Sequence, residues 1–368
     1  MAQKEISISE KLRCLIYFLI AVKYNFAAQY CTMDKVNITR AKELINNATN
    51  IIITAHKNPD GDAIGSSLAL WWYLKNSGKN ATVVLPNRFP RFYNWMPGSE
   101  SVVYFDEHKE KVNALLDSAD LVFSLDYNTL SRTGDLAEPL ENLNCPFILI
   151  DHHQQPDNFT VSFSDVNSCS TAEMIFQFCS AQESSDEWIS TELSECVYTG
   201  IMTDTGSFRF PLASAETHEI IAKLKRKGLD HSRIHQNVYD TNLMDKLQLL
   251  GHALTNKLEM ITDNSAMISV SKEELDRYNY KPGDTEGLVN YALSLSGVNL
   301  AVLVKEGNNI VKLSFRSKGS FNVNEFARKH FNGGGHNNAA GGASFLEFQE
   351  TVSKIKSEIK LVASELNY

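Results

Sequence analysis

The pattern of hydrophobic and polar positions alternates short apolar runs with longer segments of helical periodicity. The apolar runs end abruptly at polar or turn residues, which is typical of buried strands. The segments between them place apolar residues on one helical face, as in Gly65–Asn76 ahead of a stop at Gly78. The predicted strands are Ile51–Ala55, Ala81–Leu85, Ser101–Phe105, Leu121–Asp126 and Pro146–Asp151, and the predicted helices are Thr39–Asn47, Gly65–Asn76, Lys109–Ser118, Thr171–Cys179 and Ser190–Met202. This alternation predicts an α/β fold with a largely parallel sheet.

The last third of the chain predicts a second, smaller α+β domain. Two more polar helical segments come first, Ala215–Lys227 and Asn242–Leu258, and the second of them is a candidate connector. The predicted strands then are Ala266–Val270, Asn299–Val304 and Val311–Phe315, with helices at Thr285–Ser294, Asn324–His330 and Phe348–Leu366. We therefore expect a first domain over residues 34–228, a helical connector over 229–262 and a second domain over 263–368.

Composition and charge narrow the class of protein. The 368 residues, 43% hydrophobic and 21% charged, are ordinary for a globular chain of two domains. A net charge of -9 argues against electrostatic binding of long duplex nucleic acid over a broad surface. The six cysteines form no C-x-x-C pair, so neither a zinc knuckle nor a disulfide framework is indicated. A reducing cytoplasm is the expected location.

The first 33 residues form an extension to which the sequence assigns no role. They contain an apolar patch, Cys14–Val22, which is too short to span a bilayer. A signal peptide is disfavoured, because no good small-residue cleavage site follows the patch. Met33 begins a segment that leads into the first predicted helix, and no membrane partner is expected.

Candidate chemistry lies where the apolar elements end. His56, Asp60 and Asp62 follow the first strand, and further polar residues end later elements, namely Asp126, Asp151, His152, His153 and Asp204. Each alone has an ordinary explanation as a turn or cap residue, including Asp62 as a helix N-cap. The carboxyl ends of parallel strands share one edge of a sheet, so together these side chains predict a metal site. Mixed nitrogen and oxygen ligands suit Mn²⁺, Co²⁺ or Zn²⁺ better than Mg²⁺ or Ca²⁺.

These motifs resemble a known superfamily. His56–Ser66, Asp126, Asp151–His153 and Thr203–Gly206 look, in this order, like the four motifs of the DHH phosphoesterases. Phe315–Ser317 and Gly333–Gly341 resemble the DHH-associated C-terminal domain, which in that family faces the catalytic domain across a substrate cleft. The resemblance runs from about Met33 to the end. Length and domain pairing are most similar to the oligoribonucleases that degrade nanoRNA and remove phosphate from phosphoadenosine phosphate.

The resemblance implies two divalent metal ions, with Mn²⁺ as the expected cofactor. The implied ligands are His56 and Asp60 on one ion, Asp62, His152 and Asp204 on the other, and Asp126 as a bridge between both. His153 would contact the scissile phosphate or the leaving oxygen. Asp151 would hold the histidines in place, as carboxylates commonly do for metal-bound imidazoles.

The glycine-rich segment near the C-terminus is the candidate substrate site. Gly333, Gly334 and Gly335 either expose successive N–H groups as a phosphate nest or form a plain tight turn. Arg316 can grip a phosphate through two parallel hydrogen bonds, and the resemblance adds Ser317 and His336 to the same site. The expected partner is short single-stranded RNA or a small nucleotide, and a homodimer is left open.

The leading hypothesis is a dinuclear-metal phosphodiesterase that hydrolyses short oligoribonucleotides to mononucleotides. Action as a 3′-phosphatase on phosphoadenosine phosphate, or on linear diadenylate, is a close variant. Two alternatives stay open: an inorganic pyrophosphatase or polyphosphatase, which shares the catalytic motifs, and a non-enzymatic nucleotide-binding regulator. Turnover of a dinucleotide or of pyrophosphate separates the three.

Overall fold

The computed structural model describes residues 33–366, which divide into two compact units with the boundary between Asn237 and Val238. Apart from Met33, the predicted N-terminal extension with its apolar patch lies outside the described residues. The predicted division into residues 34–228, 229–262 and 263–368 stays a prediction. Within residues 33–366, no helix combines the length and the hydropathy that crossing a bilayer requires.

The first unit alternates strands and helices as expected. In chain order its elements are α1 Lys35–Asn47, β1 Ile51–Thr54, α2 Gly61–Asn76, β2 Ala81–Leu85, β3 Val103–Tyr104, α3 Lys109–Asp117, β4 Leu121–Leu125, α4 Ala137–Glu141, β5 Phe147–Asp151, β6 Val161–Ser164, α5 Thr171–Gln182, α6 Thr191–Asp204, α7 Ala215–Arg226 and α8 His231–Tyr239. The predicted α/β class is confirmed.

The first sheet has six strands in the order β3-β2-β1-β4-β5-β6, and every described pairing is parallel. Residues of β1 and β4 are buried throughout, which explains why their sequences are almost continuously apolar. The strand order reverses between β1 and β4. Ligands of open α/β sheets bind outside the carboxyl ends of the strands at such a switch point. His56 follows β1 and Asp126 follows β4, so both lie at this position.

Helix α2 starts earlier than the periodicity predicted. It begins at Gly61 rather than Gly65, because Asp60 is the N-cap and its carboxylate accepts the N–H groups of Asp62 and Ala63. The alternative in which Asp62 caps the helix is therefore wrong. Strand β6 was missed, and only Val103–Tyr104 of the predicted strand Ser101–Phe105 is extended.

The second unit is a mixed sheet covered by helices. Its elements are α9 Met244–His252, β7 Leu258–Thr262, β8 Ser265–Val270, α10 Lys272–Arg277, α11 Leu288–Leu293, β9 Leu300–Glu306, β10 Val311–Ser317, α12 Val323–His330, β11 Gly334–His336, β12 Ala339–Ser344 and α13 Phe348–Leu361. The strand order is β11-β12-β10-β9-β8-β7, with β8 and β9 parallel and the other pairs antiparallel. The predicted smaller α+β unit is confirmed.

Alternate residues of the second sheet enter two separate cores. Phe315 belongs to the core that also contains Phe326 of α12 and Ile355 of α13, whereas Leu303 belongs to the core under α9 and α11. Leu258 begins strand β7 instead of ending the predicted helix Asn242–Leu258. The residues of β7 are partly buried or exposed, so its sequence lacks the regular alternation of apolar and polar positions that predicts a strand.

Candidate functional site

The first cluster of candidate ligands lies at the end of β1. Donor atoms of His56, Asp60 and Asp126 all lie within 4.8 Å of one another. The Nε2 atom of His56 is 3.9 Å from Asp60 Oδ1 and 3.4 Å from Asp126 Oδ2. The Nδ1 atom lies 2.9 Å from the carbonyl oxygen of Lys57, to which a protonated Nδ1 donates. This tautomer leaves the Nε2 lone pair facing the two carboxylates.

The second cluster joins three elements of the first unit. Asp62 lies in the first turn of α2, His152 follows β5 and Asp204 ends α6, and their donor atoms again lie within 4.8 Å of one another. His152 Nε2 is 3.8 Å from Asp62 Oδ2 and 3.5 Å from Asp204 Oδ2. Its Nδ1 atom is 3.2 Å from the Ser168 carbonyl oxygen, so here too the Nε2 lone pair faces carboxylates.

Asp126 stands between the two clusters. Its Oδ2 atom is 3.4 Å from His56 Nε2, and its Oδ1 atom is 3.5 Å from His152 Nε2. The residue is buried and has a φ of 61°, a left-handed conformation that is uncommon outside glycine. One carboxylate thus turns one oxygen to each cluster, which is the placement that a bridging ligand needs.

His153 and Asp151 form a pair beside the clusters. His153 Nδ1 lies 2.7 Å from Asp151 Oδ1 and 3.7 Å from Asp126 Oδ1. Asp151 is fully buried, and its Oδ2 atom has no hydrogen-bond partner among the described residues. The short contact orients the imidazole.

Burial and crowded charge shift the pKa values of these groups in opposite directions. Burial raises the pKa of Asp62 well above its usual value, and the charges of Asp126, Asp204 and Asp60 raise it further. Burial also raises the pKa of Asp126, but the surrounding histidines outweigh that effect and lower it. Burial lowers the pKa of His152, but the charges of Asp204, Asp126 and Asp151 raise it above its usual value. Carboxylates that repel one another in a buried place are the environment that a cation stabilises.

The donor set fits divalent metal ions. The distances of 3.4 to 3.9 Å between the imidazole Nε2 atoms and the carboxylate oxygens are longer than a usual N–H···O hydrogen bond, and the donor atoms of each cluster converge. Both Nδ1 atoms are engaged by backbone carbonyl oxygens, which is the usual arrangement around metal-binding histidines. All six predicted ligands are therefore brought together, and their assignment to particular ions stays a prediction.

Sequence reasoning missed the turn that leads into α5. The N–H groups of Thr171 and Ala172 donate to the two oxygens of Asp62 at 2.6 and 2.8 Å, and the Thr171 hydroxyl donates to Asp126 Oδ1 at 3.0 Å. Ser168 supplies the carbonyl oxygen that faces His152. The sequence predicted that a helix starts at Thr171, but no local pattern links that start to Asp62 or Asp126.

Arg132 was also missed. Its carbonyl oxygen accepts the N–H of Lys57 at 2.8 Å, which fixes its backbone beside His56. Burial lowers the pKa of His153, and the positive charge of Arg132 lowers it further against the opposing effect of Asp151. The charge of Arg132 therefore acts on His153 in opposition to the carboxylate of Asp151.

The predicted substrate residues lie in the second unit on adjacent strands. Arg316 pairs with Ala339, which in turn pairs with His336, so these residues form one row across β10, β12 and β11. Residues in one row point to the same face of a sheet. Phe315, the neighbour of Arg316, points into the core on the other face. The structure thus brings Arg316 and His336 together on one face.

Gly334–His336 form strand β11, so this segment is neither the phosphate nest nor the plain tight turn that the sequence left open. Gly334 and Gly335 pair with β12, and the N–H of Gly335 donates to Asn324 Oδ1 at 3.0 Å. A side chain at Gly333 would collide with the backbone of β12, so the glycine permits close strand packing. Ser317 is buried and donates to the Phe321 carbonyl oxygen, which places it away from the face of Arg316. Its predicted contact with substrate stays a prediction.

Comparisons with known proteins cover both units. Residues 50–201 match the DHH family, N-terminal domain, and residues 263–363 match the DHHA1 domain. A bifunctional oligoribonuclease and PAP phosphatase of Thermus thermophilus is 32% identical over 79% of this chain and 83% of that protein. The Bacillus subtilis protein of the same description is 26% identical over 86% and 95%. The crystal structure of an exopolyphosphatase-related protein from Bacteroides fragilis shares 36% identity and a TM-score of 0.86, covering 91% of this chain and 98% of that one.

The fold and the site define a metal-dependent phosphoesterase. The two domain matches fall on the two units in the expected order, and the relatives span most of the chain. The chain belongs to the DHH family.

Proposed function

We propose that this enzyme hydrolyses very short RNA to mononucleotides with two Mn²⁺ ions, and that it also removes the 3′-phosphate from phosphoadenosine phosphate. The observation that carries the dinuclear reaction is Asp126, whose two oxygens face His56 and His152 at 3.4 and 3.5 Å. The substrate class is supported by the likeness to two relatives described as bifunctional oligoribonucleases and PAP phosphatases.

The six clustered ligands would hold the ions: His56, Asp60 and Asp126 on one side, and Asp62, His152, Asp204 and Asp126 on the other. Two divalent cations, when bound, would lower the pKa of water so that hydroxide is available at neutral pH, and would offset the charge of the phosphoryl oxygens. Mixed imidazole and carboxylate donors favour Mn²⁺ over Mg²⁺.

His153 handles the leaving group in this proposal. Its Nδ1 atom is held by Asp151 at 2.7 Å, so the ring presents Nε2 to the substrate. From that atom it contacts the scissile phosphate or the departing ribose oxygen, and it would donate a proton there only as the doubly protonated imidazolium. Asp151 fixes the orientation of the ring and favours its protonated form.

In this proposal, Arg316 and His336 bind the terminal phosphate of the substrate, which is not the phosphate that is hydrolysed. They share one row and one face of the second sheet, next to the small residues Ala339 and Gly334. Arginine can hold a phosphate through two hydrogen bonds, and small neighbours leave room for it. One terminal phosphate bound at a fixed place selects short substrates, which agrees with an acidic chain of net charge -9.

Incubating the purified protein with a 5′-labelled RNA dinucleotide and Mn²⁺ tests the proposal. We expect mononucleotides as product, faster turnover of dinucleotides than of long RNA, and release of inorganic phosphate from phosphoadenosine phosphate. Linear diadenylate should be tested in the same assay, as a further dinucleotide substrate. Binding of these nucleotides without any turnover would instead support the non-enzymatic regulator.

A second candidate is a polyphosphatase or pyrophosphatase. The observation that favours it is the 36% identity to a protein described as exopolyphosphatase-related. Pyrophosphate and polyphosphate in the same assay separate the two, because a pyrophosphatase needs no groups for a base or a ribose. Faster hydrolysis of pyrophosphate than of the dinucleotide would reverse our choice.

A reducing compartment, the cytoplasm, is the proposed location. Cys145, Cys169, Cys179 and Cys196 are free thiols in the described part of the chain, and all but Cys145 are buried. Free thiols persist where glutathione and thioredoxin keep them reduced.

A further inference from the structure

The turn from Ser168 to Glu173, which we call the α5 turn, contacts three of the proposed metal ligands. Backbone N–H groups of Thr171 and Ala172 donate to Asp62, and the Ser168 carbonyl oxygen faces His152. The Thr171 hydroxyl supplies the third contact, to Asp126. Among these contacts it is the one made by a side chain, so substitution can remove it without moving the backbone.

Thr171 connects ligands that belong to different clusters. Its N–H donates to Asp62 Oδ2 at 2.6 Å, and its Oγ1 donates to Asp126 Oδ1 at 3.0 Å. Thr171 is fully buried, so no bulk water competes for the hydroxyl. The position of Asp126 relative to Asp62 is therefore set through one residue.

Asp126 needs such a constraint. Its backbone has a φ of 61°, and a non-glycine residue in that region is strained, so the surroundings must hold it there. The imidazole nitrogens of His56, His152 and His153 lie 3.4 to 3.7 Å from its oxygens. The Thr171 hydroxyl, at 3.0 Å, is within hydrogen-bond distance and is directed at one oxygen. It thereby fixes which oxygen faces which cluster.

Glu173 holds the α5 turn in place through hydrogen bonds. The buried Glu173 carboxylate accepts the Ser168 hydroxyl at 2.8 Å, the Cys169 N–H at 3.0 Å and the Thr217 hydroxyl at 2.7 Å. These bonds tie the turn to α7, which contains Thr217. A rigid turn is what allows a single hydroxyl to position a ligand.

We propose that Thr171 is a positioning residue that fixes Asp126 as the bridge between the two metal ions. The inference rests on the proposed function, because it presumes two bound ions. It predicts that removing the hydroxyl alone weakens metal binding although every ligand remains. Partners that orient metal ligands typically contribute about 10–100-fold in metal affinity.

The test is a calorimetric titration of metal-free protein with MnCl₂. Thr171→Val keeps the shape of the side chain without the hydroxyl, and we expect its Mn²⁺ affinity to fall about tenfold or more. The Mn²⁺ concentration that gives half-maximal activity should rise in parallel. Thr171→Ser, which keeps the hydroxyl, should retain wild-type affinity within about twofold. Thr351→Val is the matched control, a fully buried threonine of the second unit whose hydroxyl bonds Ser344.

The outcomes are distinguishable. Equal Mn²⁺ binding by Thr171→Val and wild type overturns the inference alone, and so does a change in the thermal unfolding of the metal-free variant without a change in affinity. Wild-type protein that binds fewer than two Mn²⁺ overturns the proposed function and the inference with it. Should Thr171→Val fail to fold, Thr171→Ala, which adds no branched carbon, must show the same loss of affinity.

Discussion

The metal centre proposed in the first unit and the phosphate site proposed at Arg316 and His336 in the second unit would prepare for a phosphate by opposite means. The metal centre packs buried carboxylates so closely that burial and mutual repulsion raise the pKa of Asp62. The paired residues of the Arg316 row include no carboxylate, and the neighbours Ala339 and Gly334 have little or no side chain.

In the proposed function, this difference would let one chain of net charge -9 bind a polyanion in two ways. Negative side chains must first recruit cations, so their placement has to be accurate and is fixed by hydrogen bonds from the α5 turn. A single arginine needs only an open surface, since it carries its own positive charge. Substitutions at the proposed metal ligands should therefore change metal binding, and substitution of Arg316 should change substrate binding alone.

Asp126→Asn gives the largest expected effect. Asparagine tolerates the left-handed backbone at this position, so the fold should remain. Loss of the bridging charge should lower kcat on a dinucleotide at least about a thousandfold, since metal charge stabilisation is worth several kcal/mol. Calorimetry should show at most one bound Mn²⁺. Asp117→Asn, at an exposed position on α3, should behave as wild type, and an active Asp126→Asn enzyme would remove Asp126 from the bridge.

Arg316→Met should affect the substrate and leave the metals alone. A charge-assisted pair with phosphate contributes about 1.5–3 kcal/mol, so KM for the dinucleotide should rise roughly 10–100-fold. The Mn²⁺ affinity should not change. Lys312→Met is the matched control, because Lys312 is an exposed cation on the same strand and the same face. If both variants raise KM equally, the effect is general electrostatics and not a site.

Gly200→Ala tests how tightly the metal centre is packed. A Cβ atom there would lie 2.8 Å from Asp62 Oδ1 and would also collide with Ala172. Overpacking of this kind costs about 1–3 kcal/mol, and we expect urea unfolding to show it together with weaker Mn²⁺ binding. At Gly251, in helix α9, a Cβ meets nothing within 4 Å, so Gly251→Ala should be neutral or slightly stabilising. Equal behaviour of both variants would contradict close packing around Asp62.

Glu274 is a carboxylate of the second unit whose ionised form stabilises the fold. Burial alone raises its pKa, but bonds from the Ser271 N–H, His252 and Lys257 lower it from 4.5 to about 2. A depressed pKa gives stability that is present above pH 4.5 and is lost as the pH falls towards 2. Glu274→Gln should therefore destabilise the protein by up to about 3 kcal/mol at pH 7 and by much less near pH 2.

The measurement for Glu274 is urea unfolding between pH 2 and pH 7. Glu273→Gln is the control, since the side chain of Glu273 is 84% exposed on the same helix. A difference between Glu274→Gln and wild type that does not change with pH would mean that the ionised form gives no stability.

Much of the first unit could be predicted from the sequence because buried parallel strands are continuous apolar runs. Strands Ile51–Thr54 and Leu121–Leu125 can be recognised in this way, and the polar residues that follow them mark the edge of the sheet. Strand β7, with partly buried residues, and strand β11, with glycines, have no such pattern. Their pairing is decided by neighbouring strands, which the local sequence does not contain.

The candidate ligands were predictable and the residues that position them were not. His56 and Asp62 are close in sequence and belong to a recognisable motif. Thr171 lies 109 residues from Asp62, and its bond arises from the packing of α5 against α2. Threonine at the start of a helix is common, so only the three-dimensional structure connects its hydroxyl to Asp126.

A crystal of the wild-type protein grown with MnCl₂ and measured at the manganese absorption edge tests the central claim most directly. The claim is that Asp126 joins two metal sites through its two oxygens. We predict two anomalous peaks, one bound by Asp126 with His56 and the other by Asp126 with His152. A single peak, or two peaks of which one does not contact Asp126, would contradict it.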